Sequence, residues 1–156
     1  MTKGNIEAKP QSVYARRYYF DPSARSVAHG IKEGRVDAIR EAARAMTGEL
    51  PTNRPIVLVP IPSRKGYATT TLLLAEELQR QSKRSDIKVI DALRGNNRPS
   101  LFEVKKHGTT VPDSTWFGFR QIKDIPLTSD VFLVDNVEST GATMKAAIAT
   151  LVVCKV

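Results

Sequence analysis

The chain reads as an open α/β fold, a mostly parallel sheet with flanking helices, and three observations predict it. Ile56 to Pro62, IVLVPIP, is a short apolar run of β-branched type, as expected of a strand buried on both faces. A helical pattern, TTTLLLAEELQRQSKR, follows after one short polar loop. Two further strand-like stretches come next, IKVIDAL from Ile87 to Leu93 and VFLV from Val131 to Val134, the last running into a final helix. Strands that alternate with helices pair in parallel through crossover connections.

Each element has its own justification. Residues 1 to 25 read as an irregular arm, in which YARRYYF mixes aromatics with arginines before Asp21-Pro22-Ser23 turns the chain. From Ser26 to Met46, Val27, Ile31, Val36, Ile39, Ala42, Ala43 and Met46 recur at helical spacing, interrupted at Gly30 and Gly34 and ended by Gly48 and Pro51. Pro60 and Pro62 stop the first strand, and Ser63-Arg64-Lys65-Gly66 forms the loop after it. In the next helix Leu73, Leu74, Ala75 and Leu78 supply an apolar side, and Glu76, Glu77, Gln79 and Arg80 a solvated one. The stretch from Arg94 to Asp130, rich in Gly, Asn, Pro, Ser, Thr and Lys, is expected to be a lid or flexible loop. LFEVKK and TWFGFR, separated by HGTTVPDS, suit a β-hairpin within it. The last helix spans Gly141 to Val152, and VVCKV fits either its end or a strand.

With 156 residues the chain suits one domain over 1–156, large enough to bury a substantial core. A make-up of 41% hydrophobic and 26% charged residues is that of a soluble globular protein, and no apolar run approaches the ~20 residues of a membrane span. The opening MTKGNIEAKPQ lacks a secretory apolar core and Cys154 is the single cysteine, so the expected location is the cytoplasm and no disulfide framework is indicated. A net charge of +8 calls for an anionic partner, either nucleic acid or a phosphorylated small molecule. The basic pairs Arg16-Arg17, Arg64-Lys65, Lys83-Arg84 and Lys105-Lys106 are scattered, so charge alone does not choose. Neither a G-x-G-x-x-G fingerprint nor a G-K-[ST] loop occurs, which removes dinucleotide dehydrogenases and ordinary NTPases. His29 and His107 have no second histidine or cysteine at metal spacing and read as solvated or locally bonded. Trp116, Phe117 and Phe119 read as cover for the core or the lid.

The chemistry concentrates in VFLVDNVESTGAT, Val131 to Thr143. In open parallel sheets ligands sit at the carboxyl ends of strands. A tight turn entering a helix offers backbone N–H groups and the positive end of the macrodipole to an anion. Ser139, Thr140 and Thr143 add hydroxyl donors, and Gly141 lets the backbone approach a phosphate. Asp135 accepts and Asn136 both accepts and donates, a pair suited to the vicinal hydroxyls of a sugar. A sugar beside a phosphate spells a ribose phosphate.

These residues resemble the phosphoribosyl pyrophosphate (PRPP) signature of type I phosphoribosyltransferases. The likeness lies in the apolar strand, Asp135, Val137, Thr140, Gly141 and Thr143. Upstream, VLVPIPSRKGYATTTLLLAEEL is similar to the first strand, pyrophosphate loop and helix of that family, in its competence-protein-F-like and adenine phosphoribosyltransferase-like branches. The resemblance spans residues 55 to 150 and implies the type I fold. It implies that Asp135 and Asn136 meet the ribose hydroxyls, within a PRPP site of Asp135, Asn136, Val137, Glu138, Ser139, Thr140, Gly141, Ala142 and Thr143. It further implies that Ser63, Arg64, Lys65 and Gly66 wrap the pyrophosphate, and that Lys105, Lys106 and His107 reach it from the lid. The reaction implied is attack of a nitrogen acceptor, usually a nucleobase, on the anomeric carbon of PRPP, with Mg2+ bound largely through substrate oxygens. Asp135, Asn136, Arg64 and Lys65 would then be the catalytic set. Asn136 departs from the family, where an acid usually stands, and so does Glu138, where an apolar residue does.

Three readings follow: a PRPP-dependent transferase of nucleobase salvage, a PRPP- or nucleotide-binding regulator of the same fold, and a basic nucleic-acid-binding protein. The YARRYYF arm fits a hood over the base, a dimer contact or a nucleic-acid contact, and a homodimer suits such a protein.

Overall fold

The computed structural model describes residues 22–99, 114–136, 142–151 and 153–154. The architecture is mixed α/β, with a three-stranded parallel sheet and helices on both faces. In chain order the elements are α1 (Pro22–Lys32), α2 (Val36–Thr47), β1 (Ile56–Pro60), α3 (Thr70–Ser82), β2 (Ile87–Val89), β3 (Leu93–Arg94), α4 (Ser114–Phe117), β4 (Arg120–Gln121), β5 (Ile125–Pro126), β6 (Asp130–Val134), α5 (Ala142–Thr150) and β7 (Val153–Cys154). The main sheet has the order β2-β1-β6, with Ile56 opposite both Ile87 and Asp130, and Pro60 opposite Val134.

β1 is central, and all five of its residues are buried. Side chains alternate across a strand, so its apolar run serves two cores at once. Ile56 and Leu58 join Ile39, Ala43, Leu74, Leu78 and Val134 on the face covered by α1, α2 and α3. Val57 and Val59 join Leu93, Ile125, Ala147 and Leu151 on the face covered by α5. Among the described residues, no helix is long and apolar enough to cross a membrane.

Four expectations need correction. The single helix over 26–46 is two, α1 and α2. Gly34 adopts a left-handed φ of 72°, Arg35 N–H bonds the Gly30 carbonyl and Gly34 N–H that of Ile31, the two bonds of a Schellman ending. Gly30 does not interrupt the helix; a Cβ there would meet the Ala38 methyl, so it is the point where the two helices close together. The strand expected over 87–93 lasts only three residues. Ala92 N–H turns back to the Ile90 carbonyl, and Leu93–Arg94 pairs instead with Arg120–Gln121 in an antiparallel ladder. Of the expected hairpin, LFEVKK lies outside the described residues, and TWFGFR is a helical turn followed by a strand residue. Phe117 is fully buried and Gly118 takes φ 58°, which a continuous strand would forbid.

The stretch 94–130 therefore carries elements of its own, α4, β4 and β5, in its described part. The ambiguous C-terminal segment supplies β7, parallel to β5.

α3 is held on the first face by its apolar side, while on its other side Glu77 accepts from Arg80 Nε at 2.9 Å and Gln81 Nε2 at 2.9 Å. The Arg80 guanidinium first, and Gln81 second, push the Glu77 carboxyl from an ordinary 4.5 down to about 2. A depressed carboxyl favours the fold above its unfolded value, and that contribution is lost as pH falls through about 2. Arg80 is largely exposed, so solvent screening holds the effect to ~1 kcal/mol or less. Glu77→Gln is expected to unfold at lower urea than the parent at pH 7 and to match it near pH 2; equal gaps at both pH values would contradict this account.

Candidate functional site

The carboxyl ends of β1 and β6 leave side by side, with Ile61 N–H bonded to the Val134 carbonyl at 3.0 Å. Their following helices go to opposite faces: α3 packs through Leu74, Ala75 and Leu78 on one, α5 through Ala147 and Leu151 on the other. Two neighbouring strands whose connections part in this way leave a crevice between the loops, the position where open α/β sheets bind ligands. The loop 61–68 after β1 and residues Asp135–Asn136 after β6 line that edge.

The β1 loop has a defined shape. Ser63 N–H and its hydroxyl both donate to the Tyr67 carbonyl, at 2.9 and 3.0 Å, and Lys65 N–H donates to Ser63 Oγ at 3.2 Å. Gly66 N–H returns to the Ser63 carbonyl. The buried hydroxyl of Thr71, the second residue of α3, donates to the Ile61 carbonyl at 2.7 Å and ties the helix to the strand end. Arg64, Lys65 and Tyr67 are left exposed on this frame.

A distant segment braces it. Gly95 N–H donates to the Gly66 carbonyl and Arg98 N–H to that of Arg64, both at 2.8 Å, so residues 95–98 run alongside 64–66. Gly66 takes φ 93°, and a Cβ there would collide with the Gly95 carbonyl oxygen. Segment 95–98 is seated in turn on 116–119: Asn96 N–H bonds the Phe117 carbonyl at 2.8 Å, and a Cβ on Gly118 would strike the Asn96 side chain.

Arg98 joins these parts. Its Nη1 donates to the carbonyls of Ser63 and Asn96, at 3.2 Å each. Its Cζ lies 5.5, 4.9 and 5.5 Å from the ring centroids of Trp116, Phe117 and Phe119, all within cation–π range. Burial lowers the pKa of this guanidinium, while the nearby Asp135 carboxylate works in the opposite direction. Sequence reading passed over Arg98, because no spacing connects it with aromatics some twenty positions downstream; its one local signal is the Pro99 that follows, which biases residue 98 to an extended backbone.

Of the residues singled out from sequence, Ser63, Arg64, Lys65 and Gly66 come together with Asp135 and Asn136 at one edge. Asp135 and Asn136 are both half-buried, and Asp135 Oδ1 accepts from Asn136 N–H at 2.8 Å. Ala142 and Thr143 open α5, half-buried. Val137, Glu138, Ser139, Thr140 and Gly141 lie outside the described residues, as do Lys105, Lys106 and His107 of the expected lid. His29 sits exposed on α1, away from the site elements. Phe117, expected as cover, is core, and its edge meets Trp116 at a centroid distance of 5.1 Å.

For a divalent ion, the described residues contain no group of three or more His, Cys, Asp or Glu. Asp135 is the carboxylate at the end of β6, while Asp91 beyond β2 is bonded to Arg94 at 2.9 Å. Comparison with protein-family models, curated proteins and solved structures yields no match to this chain.

Gly66 tests the frame. Gly66→Ala is expected to cost ~1–3 kcal/mol in urea unfolding, through left-handed strain and the collision with Gly95. Gly48, at φ −68° with open space around its Cα, is the control, and Gly48→Ala should lie within ~1 kcal/mol of the parent. Equal behaviour of the two would mean that segments 64–66 and 95–98 are not pressed together.

Proposed function

We propose that the protein is a phosphoribosyltransferase of the type I fold, moving the 5-phosphoribosyl group of PRPP to a nitrogen acceptor such as a nucleobase. The observation that carries this reading is the parallel register of β1 and β6, which sets the Ser63–Gly66 loop against Asp135 and Asn136 at a sheet crevice. A pyrophosphate group and a ribose need adjoining sites of opposite character. The basic β1 loop suits the first, and the acid–amide pair after β6 suits the second.

In this reading Asp135 and Asn136 accept from and donate to the 2′ and 3′ hydroxyls, and the turn from Ser139 to Thr143 takes the 5′-phosphate. Arg64 and Lys65 neutralise the leaving pyrophosphate as the C1–O bond weakens, which lowers the barrier most where charge develops. The acceptor nitrogen bonds to the anomeric carbon, and the C1–O electron pair departs with the pyrophosphate. Asp135 is the protein carboxylate that would help hold a Mg2+ ion brought in with PRPP, and such an ion would supply further charge neutralisation. Exclusion of water falls to the segment that contains Lys105, Lys106 and His107.

A second reading, a PRPP- or nucleotide-binding regulator without turnover, is favoured by Asn136. A neutral amide still binds hydroxyls, but it contributes less than a carboxylate to a ribosyl group gaining positive charge.

Calorimetry with PRPP and Mg2+ is the decisive measurement. The parent should bind, and Asp135→Asn should weaken binding by about tenfold or more through loss of a charged acceptor. Absence of any PRPP binding by the parent would overturn both readings. In a pyrophosphate-release assay across a panel of nucleobases, Asn136→Asp is expected to turn over faster than the parent. Binding without turnover in either form would select the regulator.

A further inference from the structure

Arg98 differs from the exposed cations Arg64 and Lys65 because its guanidinium is built into the fold. Three aromatic rings lie within 5.5 Å of its Cζ, and Nη1 is shared between the Ser63 and Asn96 carbonyls. Its backbone is tied to Arg64, and Pro99 restricts it from the other side. Both the rotamer and the position of the charge are thus fixed before any ligand arrives, which lowers the ordering cost of binding.

Among the described residues the hydrogen bonds of the group are those of Nη1, and Nε and Nη2 carry the other three of the five guanidinium hydrogens. A half-buried cation is costly unless acceptors meet its donors. The planar Nε–Nη2 fork matches two oxygens of a phosphate, and partial removal of water strengthens the attraction. Among the described residues Asp135 is the carboxylate that acts on this guanidinium, and Asn136 beside it is neutral.

We propose that Arg98 is a phosphate-binding residue of this edge, offering Nε and Nη2 directly to the oxygens of a phosphorylated ligand with no divalent cation between them. This rests on the reading of the crevice as a phosphate site, not on the ribosyl chemistry. It also gives the Trp116–Phe117–Phe119 cluster a role in recognition: the rings hold the guanidinium in place.

The test uses the full chain, with inorganic pyrophosphate and ribose 5-phosphate as probes, in EDTA and in Mg2+. Calorimetry should detect pyrophosphate binding by the parent in EDTA. Arg98→Met, which keeps the stem over the rings, should lose about tenfold or more of that affinity, and Arg98→Lys, which keeps charge without the fork, should fall between. Labelling of the parent with phenylglyoxal, read by mass spectrometry, covers the case in which the variants fail to fold: pyrophosphate should slow modification of Arg98 in EDTA. The proposal is overturned if pyrophosphate binds the parent only with Mg2+, if Arg98→Met binds as well as the parent, or if Arg98 labelling is unchanged by the ligand. Pyrophosphate protection of Arg98 in a protein that binds neither ribose 5-phosphate nor PRPP would leave this inference standing and remove the transferase reading. Ribose 5-phosphate and PRPP binding that is indifferent to Arg98→Met would do the reverse.

Discussion

Burial of β1 on both faces is the constraint from which the remaining geometry follows. A strand apolar on both sides must be covered twice, so α1, α2 and α3 take one face and α5 takes the other. Covering both faces sends the chain after β1 and the chain after β6 in opposite directions from adjacent strand ends. The crevice at the carboxyl edge is a by-product of solving the burial problem, and it exists whatever side chains line it. Chemistry is then a matter of which residues the two loops carry, here a serine, two cations and a glycine on one side and an acid and an amide on the other.

The loop after β1 cannot hold its own form by local bonds alone. Four residues at its turn bond among themselves, and Gly66, whose positive φ glycine adopts readily, accepts the Gly95 N–H and leaves no room for a Cβ between the two segments. Residues 95–98 in turn sit on 116–119, and Phe117 is anchored in the interior. Rigidity at the edge thus comes from core burial, relayed through backbone hydrogen bonds and two left-handed glycines. Arg98 adds side-chain links to the same chain of contacts, from the loop carbonyls to the rings.

The electrostatics of the edge follow a division of labour. Arg64 and Lys65 are exposed, so solvent and salt screen their attraction for an anion. Arg98 is partly desolvated and fixed, so it acts at contact distance. The overall charge of +8 sets the sign of the surrounding field, and Arg98 places one guanidinium within the electrostatic reach of Asp135.

The three-strand plan was legible in the sequence because IVLVPIP, IKVIDAL and VFLV have strand-like apolar content, although the second strand ends at Val89. Placement of Ser63–Gly66 and Asp135–Asn136 at strand ends followed from the same reading, since a residue next to a strand terminus is positioned by chain connectivity. The break at Gly34 was legible, but that the helix runs through Gly30 was not: it depends on Ala38 packing against Gly30 from the neighbouring helix. Likewise TWFGFR has strand-like composition, and only the interior space available to Phe117 makes it a helical turn. Arg98 could not be found from spacing, because its partners Ser63, Trp116, Phe117 and Phe119 come from segments far apart along the chain. Sequence alone determined the three strands of the main sheet, their alternation with helices and the residues that follow the first and third of them, since those depend on periodicity and neighbours. Tertiary structure alone decided which loops touch, which glycine bends and where the fixed charge sits, since those depend on contacts between segments that no local pattern encodes.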